Sequence, residues 1–210
     1  MIVASLVRKG NDVEIIFDDG SGLFLDYHVV VDNGIRKNDS LSDEQINYLK
    51  NRSELNKIKH QAFRFLSIRN HSSYELKLKL LKKKFLPHLI DEALESLKEK
   101  KYLDDQKFSH QLIEEKMKKG KSGSIKIKSE LKKKGISREL ADKLIDTLDQ
   151  NQFYENACDL ACKKYDQLIK KETDFRKIKQ KLFSYLAMKG FGSDIITLAI
   201  NKIRMPEETD

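Results

Sequence analysis

The first 25 residues alternate between short apolar runs and turns. Residues 2–7, 13–17 and 23–25 are apolar and rich in β-prone side chains, while the turns between them hold Gly10 and the run Asp-Asp-Gly-Ser-Gly at 18–22. Glycine and aspartate tolerate the positive φ angles of tight hairpin turns. The pattern predicts a small three-stranded antiparallel meander. A sheet of this size is not stable alone, so it must pack on a helix.

The next stretch, residues 26–34, fits two structures. Three consecutive valines at 29–31 favour a further strand. A capping Asp26 and a stopping Gly34 favour one short helix instead. The pattern leaves both open.

From Ser42 the apolar residues recur at helical spacing as far as about Ile68, with no glycine or proline between them. Ser42 and Gln45 are placed to form a capping box, in which each side chain satisfies an orphan amide at the helix start. One long helix is predicted, and the alternative is two helices broken near residues 51–53.

The rest of the chain carries helical spacing in shorter segments. Glycine, proline and Ser or Asp caps separate the segments. The predicted helices cover residues 74–84, 87–100, 105–119, 124–134, 137–148, 151–169, 174–189 and 193–204. Residues 205–210 are expected to form a disordered acidic tail.

Three of these segments repeat one order: a basic helix, a stop and a second helix. When Phe85, Ile136 and Phe191 are aligned, the residues five before them and five, eight, nine and twelve after them are apolar in every copy. The aligned residues are Leu80, Leu131 and Leu186; Ile90, Ala141 and Ile196; Ala93, Leu144 and Ala199; Leu94, Ile145 and Ile200; and Leu97, Leu148 and Ile203. Since a three-helix unit of this size buries little alone, consecutive units are expected to share a core and form a curved array.

The sequence therefore predicts a mainly α protein, with three tandem three-helix repeats in a curved array after a small N-terminal β-meander. The meander and the start of the long helix take residues 1–53. The three repeats take residues 54–100, 101–149 and 150–204, and the tail takes 205–210.

Charge is unevenly distributed along the chain. The net charge is +8, yet residues 1–53 carry nine acidic against six basic residues, whereas residues 54–204 carry 35 basic against 21 acidic residues. This asymmetry indicates a polyanionic partner such as nucleic acid, or an acidic protein groove; the alternative is a lysine-rich solvated surface. Two cysteines favour a reducing compartment, and no apolar run approaches the roughly 20 residues of a membrane span. We expect a cytoplasmic protein with no membrane partner.

Residues with catalytic or metal-binding chemistry are sparse. The five histidines form no local pair at metal or acid–base spacing. Cys158 and Cys162 are expected to be buried small apolar residues rather than half of a metal site, and Asp104 and Asp105 to cap a helix. No phosphate-binding glycine loop occurs. The sequence therefore predicts a non-enzyme that uses no metal or cofactor.

Binding is the remaining chemistry, because lysine clusters lie beside the repeat junctions. Lysine pairs with phosphates or carboxylates as a flexible point charge. The contact candidates are Lys82, Lys83, Lys84, Lys118, Lys119, Lys121, Lys126, Lys128, Lys132, Lys133 and Lys134. Since Leu131 and Ile136 are core positions, Lys128, Lys132 and Lys133 are expected to point outward.

Aromatic residues that stack on bases are scarce among these lysines. Tyr74 and Tyr102 are the candidates, and each fits a core position at least as well. We therefore expect weak, salt-sensitive binding to single- and double-stranded DNA without sequence specificity.

Three further motifs follow one another along the chain. The first, Arg-x-x-Ser-x-x-Glu-Leu followed by Lys-Leu and an apolar stop, is carried by Arg69, Ser72, Glu75, Leu76, Lys79, Leu80 and Phe85. The second, Tyr-Leu-Asp-Asp-x-x-Phe, occupies residues 102–108. The third, Gly-x-x-x-Ile-x-x-Glu-Leu-x-x-Lys-Gly-Ile, is carried by Gly123, Ile127, Glu130, Leu131, Lys134, Gly135 and Ile136. In this order the motifs resemble those of the RecX family, and the resemblance spans about residues 56–203.

The chain departs from the family pattern at three positions. Lys84 and Lys101 stand where the family has a glycine, and both positions bear on how a helix ends. His71 stands where the family has a second arginine beside Arg69.

The resemblance implies a non-enzymatic regulator, mainly an inhibitor, of the bacterial recombinase RecA, and so a role in DNA recombination, DNA repair and the SOS response. It implies binding in the groove of the RecA–DNA filament, with Arg69 joining the lysines as a contact candidate. Held there as a monomer, the chain would block strand exchange, ATP turnover and coprotease action. The alternative is a helical-repeat DNA-binding protein without a recombinase partner.

Overall fold

The computed structural model describes residues 1–203. The N-terminal part is a three-stranded antiparallel sheet of β1 (Val3–Lys9), β2 (Asp12–Phe17) and β3 (Gly22–Asp26), in the order β1-β2-β3. Alternate residues of β2 are buried, and Ile15 lies opposite both Leu6 of β1 and Leu23 of β3. The predicted meander is therefore confirmed.

The stretch after β3 is a short helix, α1 (Tyr27–Asp32). The carboxylate of Asp26 caps it by accepting a hydrogen bond from the amide of His28, at 3.1 Å. The helical alternative for these residues is therefore confirmed, and the strand alternative is wrong.

One unbroken helix, α2 (Asp43–Leu66), follows, and it begins with the predicted capping box of Ser42 and Gln45. The polar residues in its middle hold the preceding segment and do not interrupt the helix. The buried Ser53 hydroxyl accepts a hydrogen bond from the amide of Asp26 at 2.7 Å, and the Asn56 side chain donates to the Asp26 carboxylate at 3.1 Å. The alternative of two helices is therefore wrong.

The two halves of α2 pack into different cores. Its first half packs with the sheet and α1, through Ile46 and Leu49. Its second half, with Leu55, Ile58 and Ala62, packs against α3 (Ser73–Lys82) and α4 (Pro87–Glu99). The first repeat thus borrows its first helix from α2.

Six further helices follow: α5 (Asp105–Lys119), α6 (Ser124–Lys133), α7 (Arg138–Asp146), α8 (Gln150–Leu168), α9 (Phe175–Met188) and α10 (Ser193–Lys202). They give the second and third repeats three helices each. Every residue aligned in the repeat is buried or half-buried, which confirms the repeat.

The stops between the helices share one backbone geometry. Lys84, Gly135 and Gly190 occupy the same place in the three repeats, and their φ angles are 65°, 76° and 83°. The next residue in the last two repeats closes the turn: the amide of Ile136 donates to the carbonyl of Leu131, and that of Phe191 to Leu186. This is the Schellman arrangement, which brings two aligned apolar residues together. Lys84 therefore keeps the geometry that glycine provides elsewhere.

The chain divides into two compact units between Asp104 and Asp105. In the second unit, one continuous core contains residues of all six helices α5–α10, so the second and third repeats share a core as predicted. The domain boundaries proposed from the sequence stay a prediction, and the predicted tail at 205–210 lies outside the described residues. No helix within residues 1–203 is long and apolar enough to cross a membrane.

Backbone atoms join the second and third repeats directly. The amide of Gly123, the residue before α6, donates to the carbonyl of Lys189 at 2.9 Å, and the amide of Ile125 donates to that of Gly190 at 3.0 Å. A Cβ atom on Gly123 would lie 2.2 Å from the Gly190 oxygen. Amides that a helix start leaves unpaired thus meet carbonyls that a helix end leaves unpaired. We call this contact the α6–α9 joint.

Candidate nucleic-acid interface

Lysines cluster at the C-terminal ends of α3 and α6, which are the middle helices of the first and second repeats. Lys82, Lys83 and Lys84 are exposed at the end of α3, and Lys132 and Lys133 are exposed at the end of α6. Within residues 1–203, none of these five forms an ion pair. Cations at a helix C-terminus are favourable because the last carbonyls carry partial negative charge. That attraction favours both lysine groups at their helix ends, and no carboxylate of the described chain forms an ion pair with them. Lys134, which follows, is half-buried.

Two other lysines of α6 are less accessible than expected. The ammonium of Lys128 lies 2.8 Å from a carboxylate oxygen of Asp142 and 3.6 Å from one of Asp146, both on α7. The hydrogen bond to Asp142 raises the pKa of Lys128, and the same bond lowers the pKa of Asp142. The expectation that Lys128 points freely outward is therefore wrong. Lys126 is half-buried, and its backbone packs against Gly190 at the α6–α9 joint.

The lysines at the end of α5 are exposed but paired along the helix. Lys118 lies 2.8 Å from Glu114, and Lys119 pairs with Glu115, both four residues earlier. The bonds to these lysines lower the pKa of both glutamates. Exposed pairs of this kind contribute little and exchange readily. Lys121 is exposed and has no ion-pair partner within the described chain.

Arg69 has a structural partner. Its guanidinium binds both carboxylate oxygens of Glu75, at 3.1 and 3.2 Å. Between them Ser72 caps α3 by accepting a hydrogen bond from the amide of Glu75, at 3.1 Å. The Arg-x-x-Ser-x-x-Glu motif therefore closes the start of α3, and its contact role stays a prediction.

His71 is buried inside this closure. Its Nδ1 lies 2.9 Å from the carbonyl of Arg69, and its Nε2 lies 2.6 Å from the ammonium of Lys79. Burial lowers the pKa of His71, and a neutral ring that donates at Nδ1 and accepts at Nε2 satisfies both contacts.

Both candidate stacking residues are on the surface. Tyr74 is 47% exposed and Tyr102 is 58% exposed, so the core alternative is wrong for both. Tyr102 packs edge-on against Phe63, with ring centroids 5.0 Å apart.

The cysteines differ from each other. Cys158 is buried, and burial raises the pKa of its thiol. Cys162 is exposed, so the prediction of two buried cysteines is wrong for Cys162.

Asp105 begins α5 and Asp104 precedes it. Across residues 1–203 there is no group of three or more His, Cys, Asp or Glu side chains arranged to hold a metal ion.

The outer face of α9 also carries exposed residues beside surface grooves, and the contact candidates from the sequence do not include it. Two surface grooves run along this helix, one of 520 Å³ towards α10 and one of 460 Å³ towards α8. Phe183 lines the first and Met188 the second, and they are 41% and 71% exposed. The repeat alignment contained the signal, because it places Phe183 and Met188 at the positions that Lys128 and Lys133 hold in α6.

Three family models match the chain, one for each repeat. Their descriptions are RecX, first three-helix domain, at residues 59–97; RecX, second three-helix domain, at 104–145; and RecX, third three-helix domain, at 150–200. The matches appear in the same order as the repeats.

Curated relatives and solved structures agree with these matches. Regulatory protein RecX of Clostridium perfringens (strain 13 / Type A) is 34% identical over 199 residues, covering 93% of this chain and 92% of the relative. That of Clostridium botulinum (strain Alaska E43 / Type E3) is 30% identical over 189 residues, covering 90% and 88%.

Two crystal structures share the fold. A regulatory protein RecX has a TM-score of 0.82 at 19% identity, covering 96% of this chain and all of that one. RecX from Lactobacillus salivarius has a TM-score of 0.66 at 23% identity, covering 71% and 96%. Given these domain matches and relatives, the chain belongs to the RecX family of regulatory proteins.

Proposed function

We propose that this chain regulates a RecA recombinase, mainly as an inhibitor, by binding in the groove of the RecA–DNA filament. The observation that carries the proposal is the pair of lysine groups at the ends of α3 and α6, which have no ion pair in the described chain, within a member of a family of regulatory proteins. Bound in the groove, the chain bridges neighbouring protomers. It thereby obstructs strand exchange, ATP turnover and coprotease action without chemistry of its own.

The lysine groups support phosphate binding by attraction alone. A lysine that neutralises a phosphate releases a condensed counterion, which lowers the logarithm of affinity by about 0.7 per unit of log salt on single-stranded DNA. Lys132 and Lys133 together therefore account for a slope of about 1.4. Their flexible ammonium groups read no base edges, so binding to naked DNA is weak and independent of sequence.

The direct test is the ATPase activity of RecA driven by single-stranded DNA, with this chain added at a stoichiometric ratio to RecA. The wild-type chain should lower the rate. An unchanged rate, with the chain shown to be folded by circular dichroism, would refute the proposal.

Charge reversal tests the role of the lysines. The triple variant Lys132→Glu/Lys133→Glu/Lys134→Glu should weaken inhibition and keep the helical circular dichroism. A double variant at Lys132 and Lys133 alone avoids the half-buried third position. Its matched control is Lys37→Glu/Lys50→Glu, which makes the same change in net charge at two exposed lysines of the acidic N-terminal part. Equal loss of inhibition in both double variants would show that net charge, and not this surface, is responsible.

A DNA-binding helical repeat without a recombinase partner is the competing function. Under that function, the chain lowers the ATPase rate only at concentrations at which it coats the DNA. Fluorescence anisotropy with a labelled oligonucleotide measures those concentrations. Inhibition well below them favours the filament.

A further inference from the structure

The outward face of the middle helix changes chemistry from the second repeat to the third. In α6 this face carries the exposed residues Ser129, Lys132 and Lys133, and in α9 the aligned positions carry Ser184, Ala187 and Met188. Exposed Phe183 of α9 is aligned with Lys128, which is half-buried and paired with α7. The buried positions of the two helices stay alike, since Leu131 and Leu186 are both fully buried. The repeats therefore share a packing scheme but present different surfaces.

The α9 surface is a ridge between two grooves. Gln180 and Ser184 line both grooves and so form the ridge between them. Phe183 lines only the groove towards α10, and Met188 lines only the groove towards α8. Grooves of 520 and 460 Å³ lie in the size range that holds bound apolar groups. A helix laid along such a ridge places apolar side chains in grooves at intervals of three, four and seven residues.

The rims of the grooves are cationic. Lys179 lines the groove towards α10, and Lys164 and Lys181 line the groove towards α8. Among the described residues, no acidic side chain lines either groove. Lys164 also lies 5.4 Å from the ring centroid of Tyr185, and Lys189 lies 5.2 Å from it. Lys181 is paired with Glu172 at 2.8 Å, whereas Lys164, Lys179 and Lys189 form no ion pair within the described residues. A partner that buries the apolar residues and carries carboxylates would complement these three lysines.

We propose that the outward face of α9 is a protein-docking surface for an amphipathic helix whose apolar anchors are flanked by carboxylates. A second copy of this chain fits poorly, because pairing the same face with itself sets lysine rim against lysine rim. A nucleic acid supplies the negative charge but leaves Phe183 and Met188 without apolar partners along its phosphates. The inference goes beyond the proposed function by giving the third repeat a partner of a different chemistry from that of the second.

The test needs no recombinase, so its result is independent of the filament proposal. The probe is a labelled synthetic helical peptide with leucines at positions i, i+3, i+4 and i+7 and glutamates beside them. Its counterpart has the same leucines with lysines beside them. The glutamate peptide should bind the full chain at least about tenfold more tightly, since several rim ion pairs each add a small factor. Amide shifts in a nuclear magnetic resonance titration should centre on α9 and α10.

Two variants and a control keep the test decisive. Phe183→Glu and Met188→Glu should each abolish binding, and Met188 is exposed enough that its replacement leaves the fold intact. Leu198→Glu is the matched control, because Leu198 is a 57% exposed apolar residue of the neighbouring helix and lines neither groove. It should bind the peptide as the wild type does.

Four outcomes with the full chain would overturn the proposal. They are no binding of the glutamate peptide, equal binding of both peptides, an unchanged Met188→Glu variant, and shifts of the same amides by a single-stranded oligonucleotide. Binding that appears only after residues 204–210 are removed would assign the face to the chain's own C-terminal residues and would also overturn it.

Discussion

The α6–α9 joint offers the sharpest test of the fold, through the substitution Gly123→Ala. The added Cβ would lie 2.2 Å from the Gly190 oxygen and 2.4 Å from the Phe191 nitrogen. Both are backbone atoms at the end of α9, so no side chain can rotate to make room. The start of α6 must move away from the end of α9.

The expected cost follows from the contacts that this movement breaks. Two backbone hydrogen bonds are lost, those from Gly123 and Ile125, and each contributes about 1 kcal/mol. Forcing an extra methyl group into a packed region costs about 1–3 kcal/mol. Since part of that strain is relieved when the hydrogen bonds break, we expect the unfolding free energy of the α5–α10 unit to fall by about 2–4 kcal/mol.

Gly192→Ala is the matched control. Gly192 precedes α10 as Gly123 precedes α6, with φ −72° and ψ 154° against φ −79° and ψ 171°. A Cβ on Gly192 would meet no atom within 4 Å. Both substitutions put alanine at a helix cap and reduce the freedom of the unfolded chain, and these two effects are each below about 1 kcal/mol and opposite in sign. The difference between the variants therefore isolates the close approach.

Urea unfolding followed by circular dichroism measures this difference. Because the slope is about 1–3 kcal/mol per molar urea, the Gly123→Ala midpoint should fall by roughly 1–2 M and the Gly192→Ala midpoint by less than about 0.5 M. Hydrogen exchange should show loss of protection at the backbone amides of positions 123 and 125 in the Gly123→Ala variant only. Midpoints that agree within about 0.3 M would refute the close approach as the reason for glycine at this position.

Three further predictions concern local contacts. Lys84→Gly should raise the unfolding free energy by about 0.5–1 kcal/mol in urea unfolding, because a non-glycine residue at φ 65° costs about 1–2 kcal/mol and glycine's unfolded-state entropy offsets only part of this; a destabilised variant would contradict it. Burial lowers the pKa of His71 below its ordinary value of 6.5, so the unfolded chain binds more protons than the folded chain. The contribution of His71 to the unfolding free energy is therefore fully present above about pH 6.5 and is lost as the pH falls through the lowered pKa. The ammonium of Lys79 and the guanidinium of Arg69 oppose a charged ring, while Glu75 favours it. A His71→Gln variant should show a flatter dependence of its urea midpoint between pH 7 and about pH 5, and equal slopes would exclude this titration. The double variant Asp142→Asn/Asp146→Asn should release Lys128 and tighten binding to a labelled single-stranded oligonucleotide; unchanged anisotropy would remove Lys128 from the contact candidates.

Local features of the sequence were sufficient to predict most of the helices and the repeat. Helix periodicity and caps depend on neighbours within a few residues, as the capping box of Ser42 and the stop at Gly135 illustrate. Pairing Leu131 with Ile136 needed only the geometry of one helix end. The unbroken course of α2 was harder, because Ser53 is polar yet buried by a contact with a residue 27 positions earlier.

Contacts between residues of different helices were the part of the structure that the sequence did not predict. Gly123 resembled an ordinary helix breaker, but its contact lies on a carbonyl 66 residues later. Lys128 was expected outward because its own helix leaves it on the polar face, whereas α7 brings Asp142 to it. Lys118 and Lys119 bind glutamates whose spacing was visible in the sequence. Ion pairs within one helix are therefore predictable, while those between helices require the packing.

The change of outward residues between α6 and α9 has a consequence for how the two surfaces respond to salt. Charge attraction at Lys132 and Lys133 is screened over about 8 Å at physiological ionic strength, whereas burial of Phe183 and Met188 is not weakened by screening. Raising the salt should therefore release a polyanion from the second repeat before it releases an apolar partner from the third. If both kinds of partner dissociate with the same salt slope, then α9 binds through its lysine rim, and the two faces act as one electrostatic surface. If the slopes differ, a single chain holds two partners by different forces, and the repeat supplies one scaffold for both.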